Sequence, residues 1–407
     1  MICRRYIRTY KGELKDSLRA IFYKRQFISY VELFEKEFAR HIERKHAIAV
    51  CSGREGLELL LEAYGINRGD EVIFPAYTLK DLIILAMAKD ITPVLVDIKE
   101  NTFNINADLI EEKITPKTKA IIATHIFGAP CDIKRIMTIA KRHNLIVIED
   151  CAHSLGSEIE GKKTGSFGDA AFFSFELTKS INTYGGGIIV IDNDRIAAYL
   201  RAKVETLPYV PGKLYQKIFS VYFEKIFVKT LLFNIFSLMF YFDFSAKIIN
   251  IIYRFMQHRG RIKRTKFTGL QAFIGLKQLR LFDELNYARI DKARTMIRYL
   301  NDKIRIQQNE KDVFVNFYFF VIRLNDCNNA KDLRKWLIRN KIDVGMESEI
   351  ADDCSCVLQD CSSPVANKIY RSLIQIPLHE NLSNKEIIYI ANTCNKISIM
   401  LSNKKDR

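Results

Sequence analysis

The segment FFSFELTKSINTYGGG (172–187) places a lysine, Lys179, a few residues past a wholly apolar run and shortly before three glycines. An amine brought near a buried edge can serve as a nucleophile near neutral pH. Lysine also forms Schiff bases with carbonyl compounds, pyridoxal phosphate (PLP) above all. A PLP site makes further demands, and the sequence has a residue for each. Asp150, closing LIVIED, can hold a pyridine nitrogen protonated. Ser52, Gly53 and Arg54 in CSGREGLELLL combine a hydroxyl, bare backbone and a helix start, where a dianionic phosphate gains from free amides and the helix dipole; Ser174 adds a second hydroxyl. His153, three residues after Asp150 in EDCAHSLGS, can lie over a flat ring. Glycines 185–187 permit a sharp turn and close backbone approach. Taken singly, each has an ordinary reading as a helix cap, a turn or a solvated lysine. Together they point to one site.

The elements that must position these residues are seven short apolar runs: 47–50, 71–75, 93–97, 120–125, 145–150, 170–175 and 187–191. Most are separated by segments of helical periodicity such as REGLELLLEAYG and CDIKRIMTIAKRHN, the mark of a mostly parallel sheet covered on both faces. Ligands of such sheets bind outside the carboxyl ends of the strands. Those ends carry Ser52-Gly53-Arg54, Asp150, Ser174 and Lys179. The expected organisation is α/β, with a large domain over 1–265 and a smaller C-terminal α/β domain over 266–407. An aromatic and basic helical insertion covers 208–266; its longest uncharged run, 230–242, is too short to span a bilayer. It suits a subunit interface or an interfacial membrane contact. The stretch 267–300 reads as one long amphipathic helix or a helix pair.

With 407 residues, 48% hydrophobic and 27% charged, the chain has the composition of a globular protein with a large core. The net charge of +16 suits an anionic partner, but no nucleic-acid-binding motif accompanies it. Nine cysteines show no CxxC spacing, and the cluster CSCVLQDC (354–361) has no histidine near it, so no metal site is expected. The odd cysteine count, and an opening MICRRYIRTYKGELK without a secretion signal, lead to the expectation of a reducing, cytoplasmic setting.

The stretch from about 34 to 191 resembles the DegT-type sugar aminotransferases, PLP enzymes of fold type I, through 37–78, 114–133 and 148–187, and so do LQAFIGLKQLRLFDE and QIPLHENLSNKEI near the end. The resemblance covers nearly the whole chain outside 208–266. It implies that Lys179 bonds the cofactor, that Asp150 pairs with the pyridine nitrogen, that His153 takes a place usually held by Gln or His, and that Ser174 and Ser52-Gly53-Arg54 contact the phosphate. It implies transfer of an amino group from an amino acid, usually L-glutamate, to a nucleotide-linked keto sugar by a homodimer. A dehydrating branch carries histidine in place of this lysine, and Lys179 argues against that branch.

The family pattern is departed from in three places. Arg54 stands where many relatives have a small hydroxyl residue. Leu79 stands where an aromatic stacks on the ring, with Tyr77 close by. Arg264 and Lys266 stand near where relatives carry Asn and Arg. VGMESEI (344–350) does not resemble the usual substrate side. Two alternatives stand beside a nucleotide-sugar transaminase: a membrane-associated transaminase of a lipid-linked or other keto compound, motivated by the aromatic and basic insertion, and a non-catalytic PLP-binding regulator, motivated by these departures.

Overall fold

The computed structural model describes residues 1–22, 27, 29–228, 264–324, 330–359 and 362–403. All seven apolar runs are strands of one sheet: β1 (His46–Val50), β2 (Glu71–Pro75), β3 (Thr92–Val96), β4 (Thr118–Thr124), β5 (Ile146–Asp150), β6 (Ala170–Ser174) and β7 (Gly187–Ile191). Their order is β1-β7-β6-β5-β4-β2-β3, and β7 alone runs against the rest. The C-terminal ends of β1, β4, β5 and β6 therefore share one edge with the start of β7.

Strand residues alternate between two cores, as the period of two requires. Ile48, Val50, Phe172, Ile189 and Ile191 face the core that includes α3 (Gly53–Ala63). Ala47, Ala49, Phe173, Ile188 and Val190 face the opposite core with Phe34 and Phe38 of α2 (Tyr30–Ile42). Each fully buried large apolar side chain contributes about 1.5–3 kcal/mol. The sheet edge is thus a stiff platform.

A second, antiparallel sheet has the order β8-β9-β11-β10, from β8 (Ile304–Ile306), β9 (Phe320–Leu324), β10 (Gly345–Met346) and β11 (Leu373–Ile376). The 267–300 stretch is a helix pair, α8 (Gly269–Arg280) and α9 (Phe282–Tyr299), parted at Leu281. Of the 208–266 stretch, α7 (Gly212–Val228) is described, and 229–263 lies outside the described residues. No helix among the described residues is long and apolar enough to cross a membrane. The N-terminal arm crosses to the C-terminal part: Ile2 bridges Ile342, and Arg8 forms a buried two-pronged ion pair with Glu380 at 2.7 and 2.9 Å.

Candidate active site

After Ser174 the chain leaves the sheet and returns to it at Gly187, so residues 175–186 form a closed loop. Phe175 N donates to Gly186 O at 2.8 Å, and Phe175 O accepts from Thr183 N and Gly185 N at 3.1 and 3.2 Å. Lys179 lies on the far side of the loop, in a turn where its amide donates to Glu176 O at 2.9 Å. The loop is pinned from outside. Gln271 Nε2 donates to Gly185 O at 2.9 Å, while Gln278 exchanges two 2.8 Å bonds with the Asn182 backbone. Arg8 Nη1 donates to Ser180 O, and Arg289 Nη1 donates to Ser180 Oγ at 3.3 Å. Arg289 is itself buried, and that burial lowers its pKa to about 9. Lys179 Nζ has no ion pair among the described residues; it lies 4.9 Å from the centroid of the Tyr318 ring.

The glycines answer to geometry. Gly185 and Gly186 have φ of +117° and +111°, which side-chain-bearing residues adopt only with strain. Gly187 faces Ser174 on one side and Val50 on the other. A Cβ there would lie 2.6 Å from Phe173 O and 2.7 Å from Gly53 N, both backbone atoms that cannot swing aside. Gly187→Ala is therefore expected to destabilise the fold by about 1–3 kcal/mol, as overpacking does, measurable by denaturant unfolding. It is also expected to weaken PLP retention, because it pushes apart β6 and the start of α3.

Ser52 caps α3: its Oγ accepts from Glu55 N at 3.1 Å, so the helix-cap reading holds and the hydroxyl proton stays free to be donated. A Cβ on Gly53 would meet Ser174 Cβ at 3.3 Å. The two hydroxyl residues thus flank the bare first turn of α3. Asp150 is buried at the end of β5, where Oδ1 accepts from Ala152 N at 3.0 Å and Oδ2 accepts no bond among the described residues. Burial raises its pKa, opposed by the Ala152 amide and the Lys179 charge. The His153 ring stacks on Tyr318 at 4.5 Å and 19°, with Phe127 on a near-parallel plane at 6.2 Å. Its Nδ1 accepts from Phe127 N at 3.3 Å. Burial, then the Lys179 charge, holds its pKa well below the ordinary value, so the ring is neutral.

The rim differs from the centre. Arg54 pairs with Asp81, Arg264 with Glu58, and Lys266 with Glu205 at 2.6 Å, so each guanidinium or ammonium already has an acidic partner. Leu79 is 47% exposed at the start of α4 (Lys80–Met87). Tyr77 is fully buried, its ring edge-on to Phe127 at 6.0 Å. Cys354 is buried and Cys356 exposed, and Cys361 lies outside the described residues.

Two groups escaped the sequence reading. Tyr318 reaches the site from the approach to β9 and carried no sequence signal. His125 sits at the end of β4, legible by the same strand-end rule that marks Asp150. Its amide donates to Asp150 O at 3.2 Å, its Nδ1 accepts from Cys131 N at 3.1 Å, and its Nε2 bonds Glu149 at 3.0 Å. Glu149 also accepts from the amides of Gly165, Phe167 and Gly168, each at 2.8 Å. Cys151 completes a buried His-Glu-Cys cluster, but the hydrogen bonds already engage both imidazole nitrogens and both carboxylate oxygens. It anchors the strand end that carries Asp150.

A lysine, a buried carboxylate and a hydroxyl-lined helix start on one sheet edge form a definite pattern, and comparison with known proteins gives it a family. The family model for the DegT/DnrJ/EryC1/StrS aminotransferases matches residues 9–209 and 253–395. This chain belongs to that family. As a DegT/DnrJ/EryC1/StrS aminotransferase it is a PLP-dependent transaminase. It is 29% identical over 369 residues to the GDP-perosamine synthase of Escherichia coli O157:H7, covering 90% of each chain. It is 40% identical over 214 residues to the dTDP-3-amino-3,6-dideoxy-alpha-D-galactopyranose transaminase of Aneurinibacillus thermoaerophilus, covering 52% of this chain and 58% of that one. The fold is shared with the aminotransferase TlmJ of Streptoalloteichus hindustanus, with a TM-score of 0.79 at 21% identity over 99% of this chain and 100% of that one.

The residues present fit the family's cofactor. A buried carboxylate with an unfilled oxygen suits a protonated ring nitrogen, paired hydroxyls at a helix start suit a dianionic phosphate, and an unpaired ammonium suits bond formation with a carbonyl carbon.

Proposed function

We propose that this transaminase moves an amino group from an amino acid, L-glutamate in the first instance, to the keto group of a nucleotide-linked sugar. The observation that carries this reading is the meeting of Lys179, Asp150 and the Ser52–Ser174 cradle on one sheet edge. The alignment with a GDP-perosamine synthase over nine-tenths of both chains supports the substrate class. When bound, PLP supplies an electron sink and carries nitrogen between the two substrates. Lys179 Nζ would hold the cofactor and, as a free neutral amine, would take a proton from substrate at one carbon and return it at another. Asp150 Oδ2 would hold the ring-nitrogen proton, and the neutral His153, stacked on Tyr318, would border the cofactor. Ser52 and Ser174 donate their hydroxyls to the phosphate, with the backbone amides of Gly53 and Arg54; the Arg54 side chain is engaged by Asp81.

We also propose a homodimer in the cytoplasm, with a division into a large domain to about residue 265 and a small one after it. In the dimer, Arg264 and Lys266 would exchange their acidic partners for the facing subunit's phosphate. A second reading is favoured by Phe219 and Phe223 of α7, which are 47% and 71% exposed among lysines: peripheral contact with an anionic membrane, checked by co-sedimentation with anionic liposomes at low salt.

The test of the transamination is spectroscopic. Purified protein given PLP should acquire a visible absorbance band, which L-glutamate bleaches with stoichiometric release of 2-oxoglutarate. A panel of nucleotide-linked keto sugars should then restore the band. A band that no amino acid bleaches would sink the reading.

A further inference from the structure

We propose that α7 is a positioning element for the Lys179 loop and that Tyr222 is the residue through which it acts. The proposal rests on Lys179 being the reactive amine. The family model leaves residues 210–252 unmatched, and α7 lies within that stretch.

The loop must pass through three successive left-handed residues before it re-enters the sheet: Tyr184 at φ +62°, then Gly185 and Gly186. The glycines adopt this freely, whereas a tyrosine there costs about 1–2 kcal/mol. Such a residue persists only where its surroundings over-determine it. Tyr184 is 1% exposed, and its amide donates to Asn182 Oδ1 at 2.8 Å. Its ring belongs to a core in which Leu214, Ile218 and Val221 of α7 meet Ile7, Leu270 and Ile274. Its hydroxyl donates to Glu13, a wholly buried carboxylate on α1 (Glu13–Phe22). Tyr222, one residue beyond Val221, packs against the same core, with its phenol in electrostatic reach of Tyr184, Thr9 and Glu13. Burial pushes the Tyr222 phenol up to about 12, which keeps it a neutral hydroxyl at working pH.

The same helix touches the other limb of the loop. Lys217 Nζ lies 3.6 Å from Glu176 Oε2, three residues before Lys179, and is the nearest atom a Cβ on Gly185 would meet, at 3.2 Å. The helix therefore spans both limbs. Gln271 and Gln278 hold the backbone carbonyls from below, and α7 holds the strained turn from its outer side. None of these α7 contacts reaches the reacting atoms. Tyr222 acts through Tyr184, and Tyr184 acts through the Gly185–Gly187 turn that sets Ser174, Ser52 and Lys179 against each other.

The experiment compares Tyr222→Phe, Tyr184→Phe and the double variant, with Tyr215→Phe on the same helix as control. Four quantities are read on the full-length protein: amide hydrogen exchange over 176–187, kcat and KM for L-glutamate with a nucleotide-linked keto sugar as acceptor, and the thermal midpoint. Tyr222→Phe is expected to speed exchange of the 183–187 amides roughly tenfold and to lower kcat about 5–20-fold, with KM within about twofold and global unfolding nearly unmoved. The double variant should be no worse than the worse single one, because both hydroxyls serve one network. Tyr215→Phe should match the wild type. Unchanged exchange and kcat in Tyr222→Phe, or additive losses in the double variant, would overturn the proposal. Glutamate turnover by Lys179→Ala would instead overturn the assignment of the reactive amine, and exchange in Tyr222→Phe would still decide whether α7 holds the turn.

Discussion

Lys179→Ala is expected to lower amino transfer by roughly 10⁴-fold or more, since it removes the amine proposed both to bond the cofactor and to carry the proton. The fold should survive. Nζ has no ion pair among the described residues, so the stabilisation at stake is its contact with the Tyr318 ring, about 0.5–1 kcal/mol for a partly exposed cation–π pair. A second readout is independent of turnover. The Lys179 charge is the lesser of two causes holding the His153 pKa down, burial being the greater. Removing the charge should raise that pKa while leaving it below the ordinary histidine value, as followed by NMR titration of the cofactor-free protein. An alanine variant that still transaminates would place the reactive amine elsewhere.

Asp150→Asn is expected to cost roughly 10²–10⁴-fold in activity, the range for losing a preorganised electrostatic partner at a reacting centre. It should do so without destabilising the cofactor-free protein. The sign follows from linkage. Burial raises the Asp150 pKa, so between the unfolded and folded values the native state binds more protons than the unfolded one. Stability then falls as pH rises through that window, and above it the penalty of a buried carboxylate is fully present. Asparagine keeps an acceptor for Ala152 N and carries no charge, so the variant should unfold at an equal or higher denaturant midpoint at pH 8. Near pH 4 the advantage should shrink. A variant that is less stable at pH 8 would mean that the carboxylate is already compensated within the chain.

Much of the fold was legible because strand ends are marked twice, by an apolar run and by the small or charged residues that stop it. The boundaries of β2 and β7 match the sequence reading, and those of the other five shift by one or two residues at an end. The reversal of β7 was readable but easily passed over: the connection 175–186 has no helical pattern, whereas a parallel crossover usually carries a helix. Asp150, Ser174 and Lys179 stood out as candidates because a parallel sheet delivers its strand ends to one edge. The partners of Arg54, Arg264 and Lys266 were not, since long flexible cations follow whichever acid the tertiary fold supplies, here Asp81, Glu58 and Glu205. Tyr318 was hidden for a related reason. VFVNFYFFVIRL reads as continuous strand, but Asn316 turns its amide onto His153 O and Leu155 O at 2.9 and 2.8 Å, and Phe317 follows at φ +50°. That local break swings Tyr318 over the lysine, and apolarity alone does not reveal it.

The arm that ties Ile2 to Ile342 and Arg8 to Glu380 also bears on how the protein is made. A chain leaves the ribosome N-terminus first, at about 5–20 residues per second, so Arg8 waits roughly 20–75 s for Glu380 to be synthesised. Until then the guanidinium has no carboxylate to order it, and Ser180 O lacks the donor that Arg8 provides. The large sheet can assemble on the nascent chain, with every strand complete by residue 191. Its lysine loop, however, is finished only near the end of translation, so the stalk that bears the reactive amine is among the last parts of the molecule to set.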